Sequence, residues 1–180
     1  MTNIKETEIA NVWTIEINSF NDFRGSFLNL FRNQDISFKK VWGDRNINQI
    51  NISRNLKSGT TRGLHLQLSN ASEAKIINCL KGEIFDVVVD LRKNSKTYGK
   101  WVSIYLSSEK QNAIFVPEGC AHGFQTLEDN TDVIYFHSGN WDKDSESGII
   151  WNDPLVGIKW PMSPTFISEK DLSLPFLKEF

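Results

Sequence analysis

Residues 60–67, TTRGLHLQ, carry a histidine and a glutamine on one side of an alternating run and leucines on the other. Strand side chains alternate faces, so Thr61, Gly63, His65 and Gln67 point one way and Arg62, Leu64, Leu66 and Leu68 the other. In EIFDVVVDLR the same alternation groups Asp86 with Ile84, Val88 and Asp90, so Asp86 is expected to look into a cavity. In DVIYFHS it puts Tyr135 and His137 on one face. A histidine, a lysine, a second histidine and a tyrosine gathered on one inward surface suit proton abstraction beside a carbonyl. A base removes a carbon-bound proton, a cation stabilises the enolate oxygen and an acid returns a proton. Histidine fits the base because its unperturbed pKa lies near neutrality. Acid–base work of this kind is typically worth ~10²- to 10⁴-fold in rate, and an oxyanion partner in a dry site adds on the order of 3 kcal/mol. Taken singly, His65 reads as a satisfied strand histidine, Lys75 as a surface lysine and Tyr135 as core packing. Only their joint placement yields chemistry.

The elements that would gather them are strands. Between residues 11 and 138 the chain reads as short runs rich in Val, Ile, Phe and Tyr, each closed by Gly, Asn, Ser or Lys. The runs are VWTIEI, SFLNLF, NQINIS, RGLHLQL, KIINCL, EIFDVVVDLR, KWVSIYL, AIFVP, GFQTL and DVIYFHS. Helical periodicity is scarce, and SEKDLSLPFL near the end holds at most one short helix or turn. So many short strands in one domain, residues 1–180, imply an all-β barrel or sandwich of jelly-roll type, which hides most strand edges. With 20 Lys plus Arg against 22 Asp plus Glu, the net charge of −2 supports no basic field for nucleic acid. An anion would need a local pair of arginines. The opening MTNIKETEIANVW has no apolar core of signal-peptide length, and no run approaches a membrane span. A soluble, cytoplasmic protein is expected. The two cysteines, Cys79 and Cys120, are too few for a disulfide framework and read as buried, passive thiols.

A metal-binding cupin, a small double-sheet barrel, usually supplies His-x-His, a Glu seven positions before a Gly, and Pro-x-Gly-x-x-His. The chain resembles that framework. His65 and Gln67 fall at the paired histidines, Lys75 stands seven before Gly82, and PEGCAH supplies Pro117, Gly119 and His122. An amide and an ammonium at two of four positions leave too few ligands for a first-row metal and add a repelling charge. The expectation is a cupin (double-stranded β-helix) barrel that works without metal or other cofactor.

Beyond that frame, DFRGSF, QINIS, RGLHLQ, EAKIINCLKGEIFDVVVDLRKNSKTYGKW, VPEGCAHGF, GIIWNDPLVGIKWP and SEKD together resemble the dTDP-4-dehydrorhamnose 3,5-epimerase family, from about residue 9 to residue 177. The resemblance implies a metal-independent epimerase. It would invert C3, or C3 and C5, of a nucleotide-diphospho-4-keto-6-deoxyhexose through an enolate, in deoxysugar biosynthesis for surface polysaccharide such as O-antigen. It implies His65 as base, Asp171 as the carboxylate that orients it, Tyr135 as the acid on the opposite face and Lys75 at the enolate oxygen, with His122 and Asp86 completing a polar floor. For substrate binding it implies Gln49, Asn51, Arg62, Glu146 and Lys170, with Arg24 and Phe27 supplied by the other subunit of a homodimer. Two arginines converging on a diphosphate suit guanidinium geometry. The tail WNDPLVGIKWP reads as structural. Asn29 stands where the family commonly has a glutamate near the nucleotide, Trp141 where a tyrosine stacks on the base, Phe136 for a lysine and Lys143 for a proline. The first two bear on base recognition, so dTDP and CDP are both open as carriers. A nucleotide-sugar 3,4-ketoisomerase, a metal-dependent cupin and an inactive sugar-binding cupin are the alternatives.

Overall fold

The computed structural model describes residues 3–32 and 34–180. Two antiparallel sheets face each other. The first runs, in spatial order, β1 (Asn3–Glu6), β2 (Trp13–Glu16), β10 (Asn112–Val116), β7 (Lys75–Lys81), β12 (Thr131–His137) and β5 (Gln49–Asn55). The second runs β13 (Glu146–Gly148), β6 (Thr61–Gln67), β11 (Cys120–Thr126), β8 (Glu83–Asp90) and β9 (Trp101–Ser107). A separate hairpin joins β3 (Ser19–Asp22) to β4 (Gly25–Leu28). Each expected run contains a strand, although SFLNLF is extended only in its first half. The short helix expected in SEKDLSLPFL is α2 (Glu169–Leu172).

Alternation builds three apolar layers. Ile84 and Val88 of β8 meet Ile77, Cys79, Ile114, Phe124 and Val133 between the sheets. Phe85, Val87 and Val89 point the other way, with Leu64 and Leu66, under the C-terminal tail. There Trp160 meets the Phe85 ring edge-on at 5.9 Å. Because both faces of β8 are covered, its sequence is a nearly unbroken apolar run. On the outside of the first sheet, Ile76, Ala113, Phe115 and Phe136 lie under Phe38, Val41 and Trp42 of α1 (Ile36–Trp42). The spacing of those three residues puts them on one helical face. Asp35 caps the helix start by accepting from the Ser37 N–H, and Gly43 ends it at a φ of 67°. Phe136 therefore serves packing, and Phe31 stacks on it at 6.2 Å.

One departure from alternation matters for the site. In β6, His65 pairs with His122 of β11, yet Arg62 pairs with Phe124, so three steps on one strand match two on the other. The extra residue is a bulge at Gly63 and Leu64, which re-aims the strand. Thr61 consequently faces outward, where its hydroxyl accepts from Gln125 Nε2 at 3.1 Å. Arg62, which simple alternation assigns to the apolar face, turns inward beside His65. Gly63 is required there. Its φ is +101°, and an added Cβ would stand 2.6 Å from the His122 carbonyl oxygen.

Cys79 and Cys120 are free and buried, and burial pushes both thiols up to about 12.

Candidate active site

At one end of the sandwich the apolar interior gives way to a cavity of about 410 Å³, a size suited to a small organic ligand. β6 contributes Arg62 and His65, β11 His122, β7 Lys75, β12 Tyr135, and β5 Gln49 and Asn51. The loop before β13 adds Trp141, β13 itself Glu146, and α2 Lys170 and Asp171.

His65 and Asp171 lie 106 positions apart in the chain, but His65 Nε2 donates to Asp171 Oδ1 at 2.7 Å. Asp171 reaches that point from α2, whose start is capped by Ser168 accepting from the Asp171 N–H. Its second oxygen accepts from the Gly63 N–H at 3.1 Å. Burial raises the Asp171 carboxyl, but the hydrogen bond and charge of His65 and the Gly63 N–H outweigh it, leaving the group below its ordinary value. An ionised Asp171 fixes the imidazole tautomer, so the other ring nitrogen keeps a lone pair for a proton.

Tyr135 comes from the facing sheet. Burial first, then the nearby charge of Asp86, push its phenol well above the usual range, against a smaller opposing effect of Arg62. A phenol so held stays protonated and can act as a donor. Its ring meets His122 edge-on at 5.9 Å.

Asp86 does not reach the cavity, contrary to the alternation argument. It is wholly buried, and its Oδ2 accepts from His122 Nε2 at 2.7 Å, so His122 supplies the exposed surface of the pair. Asp86 Oδ1 is the buried side-chain atom without a partner among the described residues, and burial raises its carboxyl.

Around the rim, Trp141 hangs between two residues of the same set: its backbone N–H donates to Gln49 Oε1 at 3.0 Å and its indole N–H to Glu146 Oε2 at 3.1 Å. Glu146 also pairs with Lys170 at 2.6 Å. Trp141 as a whole remains 57% exposed, open to a flat partner. Arg62 is steadied by Asn55, whose Oδ1 accepts from its Nε at 2.8 Å. Gln67 donates to the Ala71 and Asn140 carbonyls and accepts from the Asp142 N–H, pinning the loop that carries Trp141. Among the described residues no three His, Cys, Asp or Glu side chains converge as a metal site.

Arg24, Phe27 and Asn29 lie outside the cavity of their own chain. Arg24 pairs with Asp22 on the exposed hairpin. Asn29, with its amide oriented to satisfy its neighbours, donates to the Phe31 carbonyl at 2.8 Å.

Two titratable lining residues, Glu73 and His137, were given no role in the sequence reading. Glu73 Oε2 accepts from His137 Nδ1 at 3.1 Å, and Glu73 Oε1 lies 3.3 Å from Lys75 Nζ. The signals were there: His137 shares a strand face with Tyr135, and Glu73 precedes Lys75 by two.

The family profile described as dTDP-4-dehydrorhamnose 3,5-epimerase matches residues 6–179. A dTDP-4-dehydrorhamnose 3,5-epimerase of Shigella flexneri is 40% identical over 171 residues, covering 95% of this chain and 93% of that protein. Among solved structures, a dTDP-6-deoxy-D-glucose-3,5-epimerase from Legionella pneumophila, in complex with dTDP-4-keto-L-rhamnose, superposes with a TM-score of 0.93 at 34% identity, covering 99% of this chain and 94% of that one. NovW, a 4-keto-6-deoxy sugar epimerase from Streptomyces spheroides, gives a TM-score of 0.94 at 32% identity, covering 99% and 89%.

Proposed function

The chain belongs to the dTDP-4-dehydrorhamnose 3,5-epimerase family, and we propose that it inverts the carbons flanking the ketone of a dTDP-4-keto-6-deoxyhexose through an enolate. The observation that carries the chemistry is His65 on one sheet with its Asp171 partner from α2, facing on the other sheet a Tyr135 that burial keeps in its protonated, proton-donating form, with Lys75 lining the same cavity. His65 removes the proton beside the ketone, Lys75 steadies the oxyanion and Tyr135 delivers a proton to the opposite face. No redox step or group transfer is needed: a C–H bond breaks, and a C–H bond of inverted configuration forms. Arg62 and the partner's Arg24 clamp the diphosphate, with Gln49, Asn51, Glu146 and Lys170 placing sugar and nucleotide and Trp141 stacking on the base. His122, backed by Asp86, closes the floor.

Residues 1–180 serve as one cupin epimerase domain that pairs as a homodimer and acts in the cytoplasm, where activated sugars are charged, on the route to a surface polysaccharide. The dimer is supported by the β3–β4 hairpin, which joins neither sheet and leaves Phe20, Phe23 and Phe27 at 70%, 98% and 68% exposure.

The test is proton NMR in D₂O with dTDP- and CDP-4-keto-6-deoxyglucose. Deuterium is expected at C3, or at C3 and C5, with the dTDP sugar preferred. His65→Asn is expected to keep the fold and nucleotide binding and to abolish the exchange. Native-rate exchange by that variant would show that another group is the base.

A further inference from the structure

All three histidines of the chain line this cavity, and each is bound to a carboxylate. Two pairs, His65 with Asp171 and His122 with Asp86, have places in the reading above. The third, His137 with Glu73, has none.

Glu73 is a buried bridge. It is 8% exposed, and its two oxygens take two partners, His137 Nδ1 at 3.1 Å and Lys75 Nζ at 3.3 Å. His137 and Lys75 also face each other in the register of β12 and β7, so the sheet places them together. On the cavity side the His137 ring stacks on Tyr135, with centroids 5.8 Å apart and planes 26° apart, and its Nε2 lies 3.4 Å from Asn51 Nδ2. Donation from Nδ1 to the carboxylate leaves Nε2 to accept from the amide.

A carboxylate beside the cation that must hold an enolate works against that task, because it offers the ammonium a competing anion at close range. A hydrogen bond donated to its other oxygen draws part of the negative charge away from the side that faces Lys75. The titratable groups facing His137 are the carboxylate of Glu73 from the loop before β7, the ammonium of Lys75 from β7 and the neutral phenol of Tyr135 from its own strand, while β5 brings the neutral Gln49 and Asn51. Burial raises Glu73, but the His137 hydrogen bond and the charge of Lys75 hold it below its ordinary value, so the bridge is anionic.

Resting on the epimerase reading, we infer that Glu73 and His137 are positioning residues for Lys75: Glu73 anchors the ammonium at the cavity wall, and His137 limits how strongly that carboxylate competes with the enolate oxygen for it.

His137→Phe keeps a ring against Tyr135 but removes the N–H. It is expected to lower kcat by about tenfold with KM changed by no more than about threefold, since among the binding groups named above Asn51 alone loses a neighbour. His137→Gln, which restores an N–H donor, recovers part of that loss. In a Glu73→Gln background His137→Phe costs nothing more, because a neutral amide no longer competes for Lys75. An unchanged kcat in His137→Phe, or the same loss in both backgrounds, overturns the inference. A second readout does not depend on turnover. The ¹⁵N-imidazole spectrum, simple with three histidines, is expected to show a downfield Nδ1 proton for His137 that moves upfield in Glu73→Gln; if it stays put, the pair is wrong even in an active epimerase. A wild-type protein that exchanges no substrate proton, yet shows the shift, refutes the epimerase reading and leaves the pairing standing.

Discussion

Inversion at carbon needs a base and an acid in opposite protonation states, facing each other across one ring. In the proposed reaction His65 and Tyr135 would meet that demand through different physics. The imidazole is oriented by its hydrogen bond to Asp171 at 2.7 Å, whereas the phenol is kept protonated by burial and by the charge of Asp86 behind His122. Removing the hydroxyl in Tyr135→Phe separates the two halves of the reaction. His65 can still take a proton and return one to the face it came from. Solvent deuterium should therefore enter the sugar with retained configuration, while inversion falls by ~10²- to 10⁴-fold. The ring coupling constants of the recovered sugar distinguish the outcomes. Inversion at the native rate would remove Tyr135 from the role of acid.

At the scale of elements, the site depends on an irregularity in β6. Without the bulge at Gly63, His65 and Arg62 could not both face the cavity, since their odd separation puts them on opposite faces of a regular strand. Gly63→Ala would force a methyl group to 2.6 Å from the His122 carbonyl oxygen and 2.8 Å from Gly123 Cα, at a φ of +101°. We expect a loss of about 2–4 kcal/mol in stability by denaturant titration and a drop in kcat in whatever remains folded, because the same shift displaces His65. A variant of native stability and activity would mean that the bulge tolerates a side chain. This strand also shows what sequence could and could not reveal. His65, Lys75, His122 and Tyr135 were legible because strand parity and the cupin spacing are local, and the strands around them were legible for the same reason. Asp171 was reached only through family resemblance, since no local pattern links residues 106 positions apart. The inward turn of Arg62 was hidden because an inserted residue breaks the parity on which the reading relied. The strands β1, β3 and β13 were missed because they span only three or four residues with little apolar alternation to mark them, and β1 and β3 are also largely exposed. The helix α1 spans only seven residues, too few for a period to stand out.

At the scale of the whole molecule, the site within one chain has a single inward arginine among the described residues, Arg62, for a diphosphate that would suit two. The exposed aromatic hairpin carries an arginine, Arg24, that would supply the second cation. Arg24 sits at the tip of the β3–β4 turn between Phe23 and Phe27, 76% exposed in its side chain, paired with Asp22 beside it and lying over the Phe23 ring. A two-fold dimer in which this hairpin covers its neighbour would bury the phenylalanines and deliver Arg24 to the partner's cavity. Two measurements separate that arrangement from a self-sufficient monomer. Sedimentation should give a dimer for the native chain and monomer for a Phe20→Ser, Phe23→Ser double variant, whose hairpin loses its apolar contact. Mixing is the stronger test. Arg24→Ala and His65→Ala are each expected to be poorly active alone. After unfolding and refolding together, half the dimers would be mixed. In each mixed dimer one site would join an intact His65 to an intact Arg24 from across the interface, giving about a quarter of the native rate by symmetry. If Arg24 served its own chain, every site in the mixture would still lack one of the two groups, and refolding together would recover nothing.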